Sequence, residues 1–167
     1  MNTQFDPSRR IARFAAPRLL LTMLGALFVA VPSAHAEEHT VVQPDTLTWV
    51  DVPVFPGAKL AVIQGDPGKE GIFAYRVKLP ANYKIAPHTH KAGENVTVLS
   101  GTFYLGLGEK FNKSAGTALP VGGFVAVPPK HPHFAWSGPK ETVVQVHGYG
   151  PTDITFINPA DDPRNKQ

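Results

Sequence analysis

Two histidines separated by one residue and followed by a glutamate, in the run His88-Thr89-His90-Lys91-Ala92-Gly93-Glu94, are the first residues of this chain that could do chemistry together. On a strand, His88 and His90 share a face. Glu94 has the same parity, but along an unbroken strand it would lie about 13 Å past His90, too far to share an ion. Ala92-Gly93 offers a bend, and a hairpin-like turn there would fold Glu94 back opposite His90. Downstream, Pro128-Pro129-Lys130-His131-Pro132-His133 suggests a fourth donor, His133, held by prolines at the start of an apolar segment. Three imidazoles and one carboxylate around a divalent transition metal leave room for water or substrate. Such donors suit Fe, Mn, Co, Ni, Cu or Zn and do not choose among them. There is no cysteine, so thiolate sites, disulfides and cysteine nucleophiles are excluded.

The elements that must position these donors are short. Phe73, Tyr75, Val77 and Leu79 alternate with Ala74, Arg76 and Lys78, the period of a half-buried strand. Further strand-length runs lie at about 46–50, 60–63, 85–90, 95–99, 102–107, 124–127, 133–136, 142–147 and 154–157. Gly, Pro, Asn and Ser clusters separate them, among them Ser100-Gly101, Pro120 to Gly123, Ser137-Gly138-Pro139 and Gly148 to Pro151. Close spacing without a helical period predicts an all-β chain, an antiparallel closed double sheet of one domain over 46–157. Residues 37–45 read as a flexible lead-in, and 158–167 lack the apolar residues for a strand and are expected to wrap the surface.

Residues 1–36 carry four arginines, Arg9, Arg10, Arg13 and Arg18, against Asp6, which accounts for the whole formal charge of +3. The remainder is formally neutral and gives no electrostatic reason to expect nucleic acid or an anionic membrane as a partner. The basic segment, the apolar run Leu19 to Val31 and the triplet Ala34-His35-Ala36 read as a signal peptide cleaved after Ala36. The apolar run is shorter than the roughly 20 residues that span a bilayer, so no permanent membrane anchor is expected and the protein is expected to be periplasmic or secreted. Ser8-Arg9-Arg10 allows twin-arginine export as well as the general route, although Ala12 stands where an aromatic is expected.

Other residues invite a functional reading beside a plainer one. His147 ends the alternation Val143, Gln145, His147 and is the candidate proton donor or acceptor in the cavity, against a structural strand-end role. Phe73, Tyr75, Phe103, Phe124, Phe134 and Trp136 read as core or sheet packing before they read as a substrate box. Arg76 falls on the polar face of its strand, and Gly68-Lys69 lacks phosphate-loop spacing. No serine sits in a nucleophile elbow.

The chain resembles the cupin family, whose first motif has the form G-x5-H-x-H-x3,4-E-x6-G and whose second has the form G-x5-P-x-G-x2-H-x3-N. The first is met by His88, His90, Glu94 and Gly101, with Asn82 in place of the opening Gly; the second by Gly122, Pro128 and His133, with Lys130 for Gly and Ser137 for Asn. The departures fall at turn positions. The family spacing favours His133 over His131 as the fourth ligand and leaves His131 on the rim. The resemblance implies a jelly-roll barrel of two antiparallel sheets with one metal inside, a small-molecule ligand or substrate, and often a homodimer. It spans dioxygenase-like, isomerase and lyase enzymes as well as non-catalytic binding modules, so fold leaves the reaction open.

Overall fold

Phe73, Val77 and Leu79 point to one side of their strand and Ala74, Arg76 and Lys78 to the other, and the neighbouring strand repeats the pattern with Val144 and Val146. Burying one face of each strand is what closes this chain on itself. The computed structural model describes residues 39–166; the expected export signal over 1–36, with its cleavage point after Ala36, lies outside the described residues.

The described residues hold eleven strands: β1 (Val50–Asp51), β2 (Lys59–Gln64), β3 (Gly71–Leu79), β4 (Lys84–Thr89), β5 (Glu94–Ser100), β6 (Phe103–Leu107), β7 (Gly116–Leu119), β8 (Phe124–Val127), β9 (His133–Ser137), β10 (Thr142–Gly150) and β11 (Thr155–Phe156). They form a six-stranded sheet ordered β1-β2-β3-β10-β5-β8 and a five-stranded sheet ordered β11-β4-β9-β6-β7. Pairing is antiparallel throughout. The chain passes repeatedly from one sheet to the other, as in a jelly roll. Among the described residues the helical pieces are short 3-10 turns, and no helix is long and apolar enough to cross a membrane.

Phe73, Leu79, Val96, Val98, Phe103 and Val144 are buried between the sheets. Each such side chain contributes about 1.5–3 kcal/mol by leaving water. Phe134 and Trp136 are also buried, but on the outer face of the five-stranded sheet, where Phe111 packs at 5.1 and 5.6 Å and Tyr104 stacks on Trp136 at 4.9 Å. Phe124 is exposed.

Three stretches differ from the sequence reading. The first strand, expected around 46–50, is only Val50–Asp51, because Pro44 opens a 3-10 turn over Pro44–Thr46. β7 has no apolar run to announce it. β10 continues to Gly150 through residues expected to form a turn; at Gly148 a side chain would meet the Gly93 carbonyl at 3.1 Å and the Phe73 ring at 3.2 Å, so glycine here serves close approach of strands.

The motif departures turn out to preserve the turns. Asn82 and Lys130, standing where cupins carry glycine, both adopt left-handed backbone (φ 57° and 59°). The Asn82 N–H donates to the Gly138 carbonyl at 2.8 Å and the Lys130 N–H to the His90 carbonyl at 2.7 Å. Ser137, in place of asparagine, accepts from the Tyr83 N–H at 2.7 Å and donates to the Pro80 carbonyl. Gly101 retains glycine with φ +74°, and a side chain there would meet the Glu141 carbonyl and the Thr142 hydroxyl at 2.6 Å. Gly101→Ala is therefore expected to cost about 2 kcal/mol or more, whereas Lys130→Gly relieves left-handed strain and should leave stability unchanged or raise it by up to about 1 kcal/mol. Urea unfolding of the two variants beside the wild type measures both.

Candidate metal centre

His88 lies near the end of β4 and His90 just past it; His133 opens β9 directly opposite His88 in the ladder. Pro87, which has no N–H to donate, sits where the β4–β9 register shifts. The turn after His90 then carries the chain from the five-stranded sheet to the six-stranded one, and Glu94 is the first residue of β5. The bend at Ala92-Gly93 is thus a crossover rather than a hairpin, and the carboxylate reaches the histidines from the opposing sheet. One ligand atom from each of His88, His90, Glu94 and His133 lies within 4.8 Å of all the others. Glu94 Oε1 stands 3.5 Å from His90 Nε2 and 3.4 Å from His133 Nε2. The His88 and His133 rings are buried, with centroids 4.2 Å apart.

All three rings are oriented by backbone carbonyls. His88 Nδ1 donates to the Ala86 carbonyl at 2.7 Å, His133 Nδ1 to the His131 carbonyl at 2.9 Å, and His90 Nδ1 to the Asp153 carbonyl. A carbonyl oxygen only accepts, so each Nδ1 carries a proton, and a ring in its neutral form offers the lone pair of Nε2. Nε2 of His90 and of His133 is buried and has no hydrogen-bond partner. Lone pairs of imidazole and carboxylate thus face one another across a cavity of about 60 Å³, an arrangement that fits a cation. The Asp153 carboxylate takes the Lys91 N–H at 2.7 Å, fixing the segment that holds His90.

Titration follows from this crowding. Burial, with His133 beside it, pushes His88 down to about 3, so the ring is neutral and ready as a ligand. Burial opposes charge on His90 too, but the Glu94 carboxylate and the Asp153 carbonyl outweigh it and raise this ring above its ordinary value. Burial alone would raise Glu94; the His133 and His90 rings facing it at 3.4 and 3.5 Å hold it well below the carboxylate range.

The remaining candidates fall elsewhere. His147 is corrected: Val144 and Val146 line the cavity, so the alternation of β10 turns His147 to the outer face, opposite Asn95, away from the cluster. His131 is exposed and meets the cluster only through its carbonyl. Arg76 is half-buried on the outer face with Nε donating to Gln145 Oε1 at 3.3 Å. Tyr75, read from the sequence as packing, lines the cavity, and burial with Glu94 nearby pushes its hydroxyl pKa up. Its parity with Phe73 and Val77 was the available signal.

A two-sheet antiparallel barrel with three imidazoles and a carboxylate gathered between the sheets is the architecture of a cupin. Residues 37–153 match the family model described as the ChrR Cupin-like domain, and the chain belongs to that family. No curated protein matches it significantly. Among solved structures it is similar to the polyketide cyclase RemF from Streptomyces resistomycificus, at 19% identity and a TM-score of 0.58 over 75% of this chain and 90% of that one. It is similar also to an RmlC-like cupin from Shewanella frigidimarina (17%, TM-score 0.53, 66% and 88%) and to KdgF from Halomonas sp. (20%, TM-score 0.52, 69% and 96%). At these identities the likeness is one of fold.

Because His88 in the fold titrates at about 3, below its ordinary 6.5, unfolding takes up a proton between these values; stability is full above the window and is lost as pH falls through it. Glu94, held low, acts in the same sense at lower pH, and His90, raised, in the opposite one. The unfolding midpoint of the metal-free protein should fall as pH drops from 6.5 towards 3, and His88→Gln should flatten that slope. Thermal melts of both proteins across pH check this, and an identical slope in the variant would contradict a neutral His88.

Proposed function

We propose that this protein binds one divalent transition metal through Nε2 of His88, His90 and His133 and the Glu94 carboxylate, and acts as a metal-dependent enzyme on a small molecule in the cell envelope. The observation that carries the reading is the convergence of four lone-pair donors, with Nε2 of His90 and of His133 buried and partnerless. Bound there, a metal would supply Lewis acidity and, for a redox-active ion, electron transfer. Ala86, Asp153 and His131 hold the rings through their carbonyls, while the apolar wall of Val96, Leu105 and Val146 keeps bulk water from the donors. Tyr75 brings a neutral hydroxyl to the cavity, the position from which a substrate oxygen would be oriented. RemF, a polyketide cyclase, is a small-molecule enzyme on the same fold, which supports dioxygenase-, isomerase- or lyase-type chemistry without choosing among them. The envelope location rests on the leader and its Ala34-His35-Ala36 triplet, and pairing of two copies through a free edge strand belongs to the same proposal.

One observation favours a second reading, capture of metal or ligand without turnover. Among the described residues lining the cavity, Tyr75 is the one protic group besides the four donors. Protein purified without chelator should carry about one metal per chain by elemental analysis, and Glu94→Ala or His133→Ala should lose it; full retention in either variant would refute the ligand set. Oxygen uptake by the iron- or manganese-loaded protein across phenols, diketones, thiols and sugars is expected with at least one substrate class. Saturable binding with no uptake or conversion would favour the binding module.

A further inference from the structure

The cavity at the donors is too small for a substrate. Its roughly 60 Å³ corresponds to about two waters, or an ion and one water, taking some 30 Å³ for each water. Beside it lies a second cavity of about 270 Å³, and Phe55, Tyr75, Val77 and His90 line both. The body of any molecule that reaches the metal therefore has this second cavity next to it. Its wall is apolar, built by Val52, Val54, Phe55, Leu60, Pro67 and Ile154.

Two charged residues reach the wall, and both are already neutralised. Arg164 donates from Nε and Nη2 to the Asp162 carboxylate at 2.8 and 2.6 Å, and its Nη2 also donates to the Ile154 carbonyl. Asp153 accepts from the Lys91 N–H at 2.7 Å and lies 3.8 Å from Lys91 Nζ. A charged tail placed here would lose part of its hydration and find its natural counter-charges engaged, which disfavours an unpaired ion. The polar groups that can serve a neutral guest are the hydroxyls of Tyr75, where the cavities meet, and of Thr152.

We propose that the ligand of this protein has a small oxygen-bearing head that reaches the metal and an uncharged, apolar body that fills the cavity between the 52–55 turn and the 152–154 segment. The inference rests on the metal centre proposed above and goes beyond it in specifying what the site selects. Phe55 and Tyr75 form the boundary the molecule passes, and Tyr75 orients its polar end.

The test uses the full mature chain loaded with cobalt(II), with occupancy measured by elemental analysis. Two hydroxamates with the same chelating head, benzohydroxamate and 4-carboxybenzohydroxamate, are titrated in while the visible cobalt spectrum is followed. The uncharged tail should bind at least about tenfold more tightly, the carboxylate paying for desolvation. Val54→Arg, at a half-buried position on the 52–55 turn away from the four donors, should retain full cobalt and reverse or abolish the preference by offering the carboxylate a partner. Full cobalt with equal affinities, or with a preference that Val54→Arg leaves untouched, would overturn the substrate class while leaving the metal centre standing. Absence of cobalt uptake would overturn the metal centre and this inference with it.

Discussion

Inside an apolar shell, lone pairs brought face to face repel, and a buried polar group left without a partner costs about 1–3 kcal/mol. His90 Nε2 and His133 Nε2 are in that position around Glu94, and the fold must supply what holds them there. The support comes from both sheets. β4 and β9 align His88 with His133, and the crossover after His90 delivers Glu94 from the other side. The core of Phe73, Leu79, Val98 and Phe103 keeps the sheets together at that distance. Backbone carbonyls then remove rotational choice from each ring, so the repulsion cannot relax by turning an imidazole away. A cation converts the same geometry from cost to attraction.

The protonation pattern expresses the same constraint. The Glu94 carboxylate raises the proton affinity of His90, and the facing His133 and His90 rings lower that of Glu94. His88, deeper and next to His133, is denied a second proton. A metal bound there would compete with protons for the same lone pairs.

Much of this was legible in the residues. Strand parity put His88 and His90 on one face, and glycine and proline marked nearly every turn, so the all-β class and the four donors could be named. What escaped were features decided between strands. Whether His147 or Val146 faces inward depends on register, which a half-apolar strand such as Val143 to His147 does not declare. The crossover at Gly93 and the inward role of Tyr75 depend on which sheet each strand joins. Phe134 and Trp136 are the packing residues the sequence suggested, but on the outer face: both faces of β9 are covered, so alternation there carries no polar signal to tell the two apart. Asn82 and Lys130 look like losses in the sequence, yet the backbone keeps the conformation that glycine would have taken.

The double covering of β9 has a mechanical result. His133 sits on a strand whose five residues are all buried, pinned inside by the core and outside by Phe111 and its aromatic neighbours. That side of the centre is stiff. The crossover that carries His90 and leads to Glu94 has an exposed Lys91 at its apex and is tethered by the Lys130 and Asp153 hydrogen bonds before Glu94 enters the ladder between β10 and β8. Accommodation of ions of different radius would therefore fall on the loop that carries His90, with the opposite side fixed.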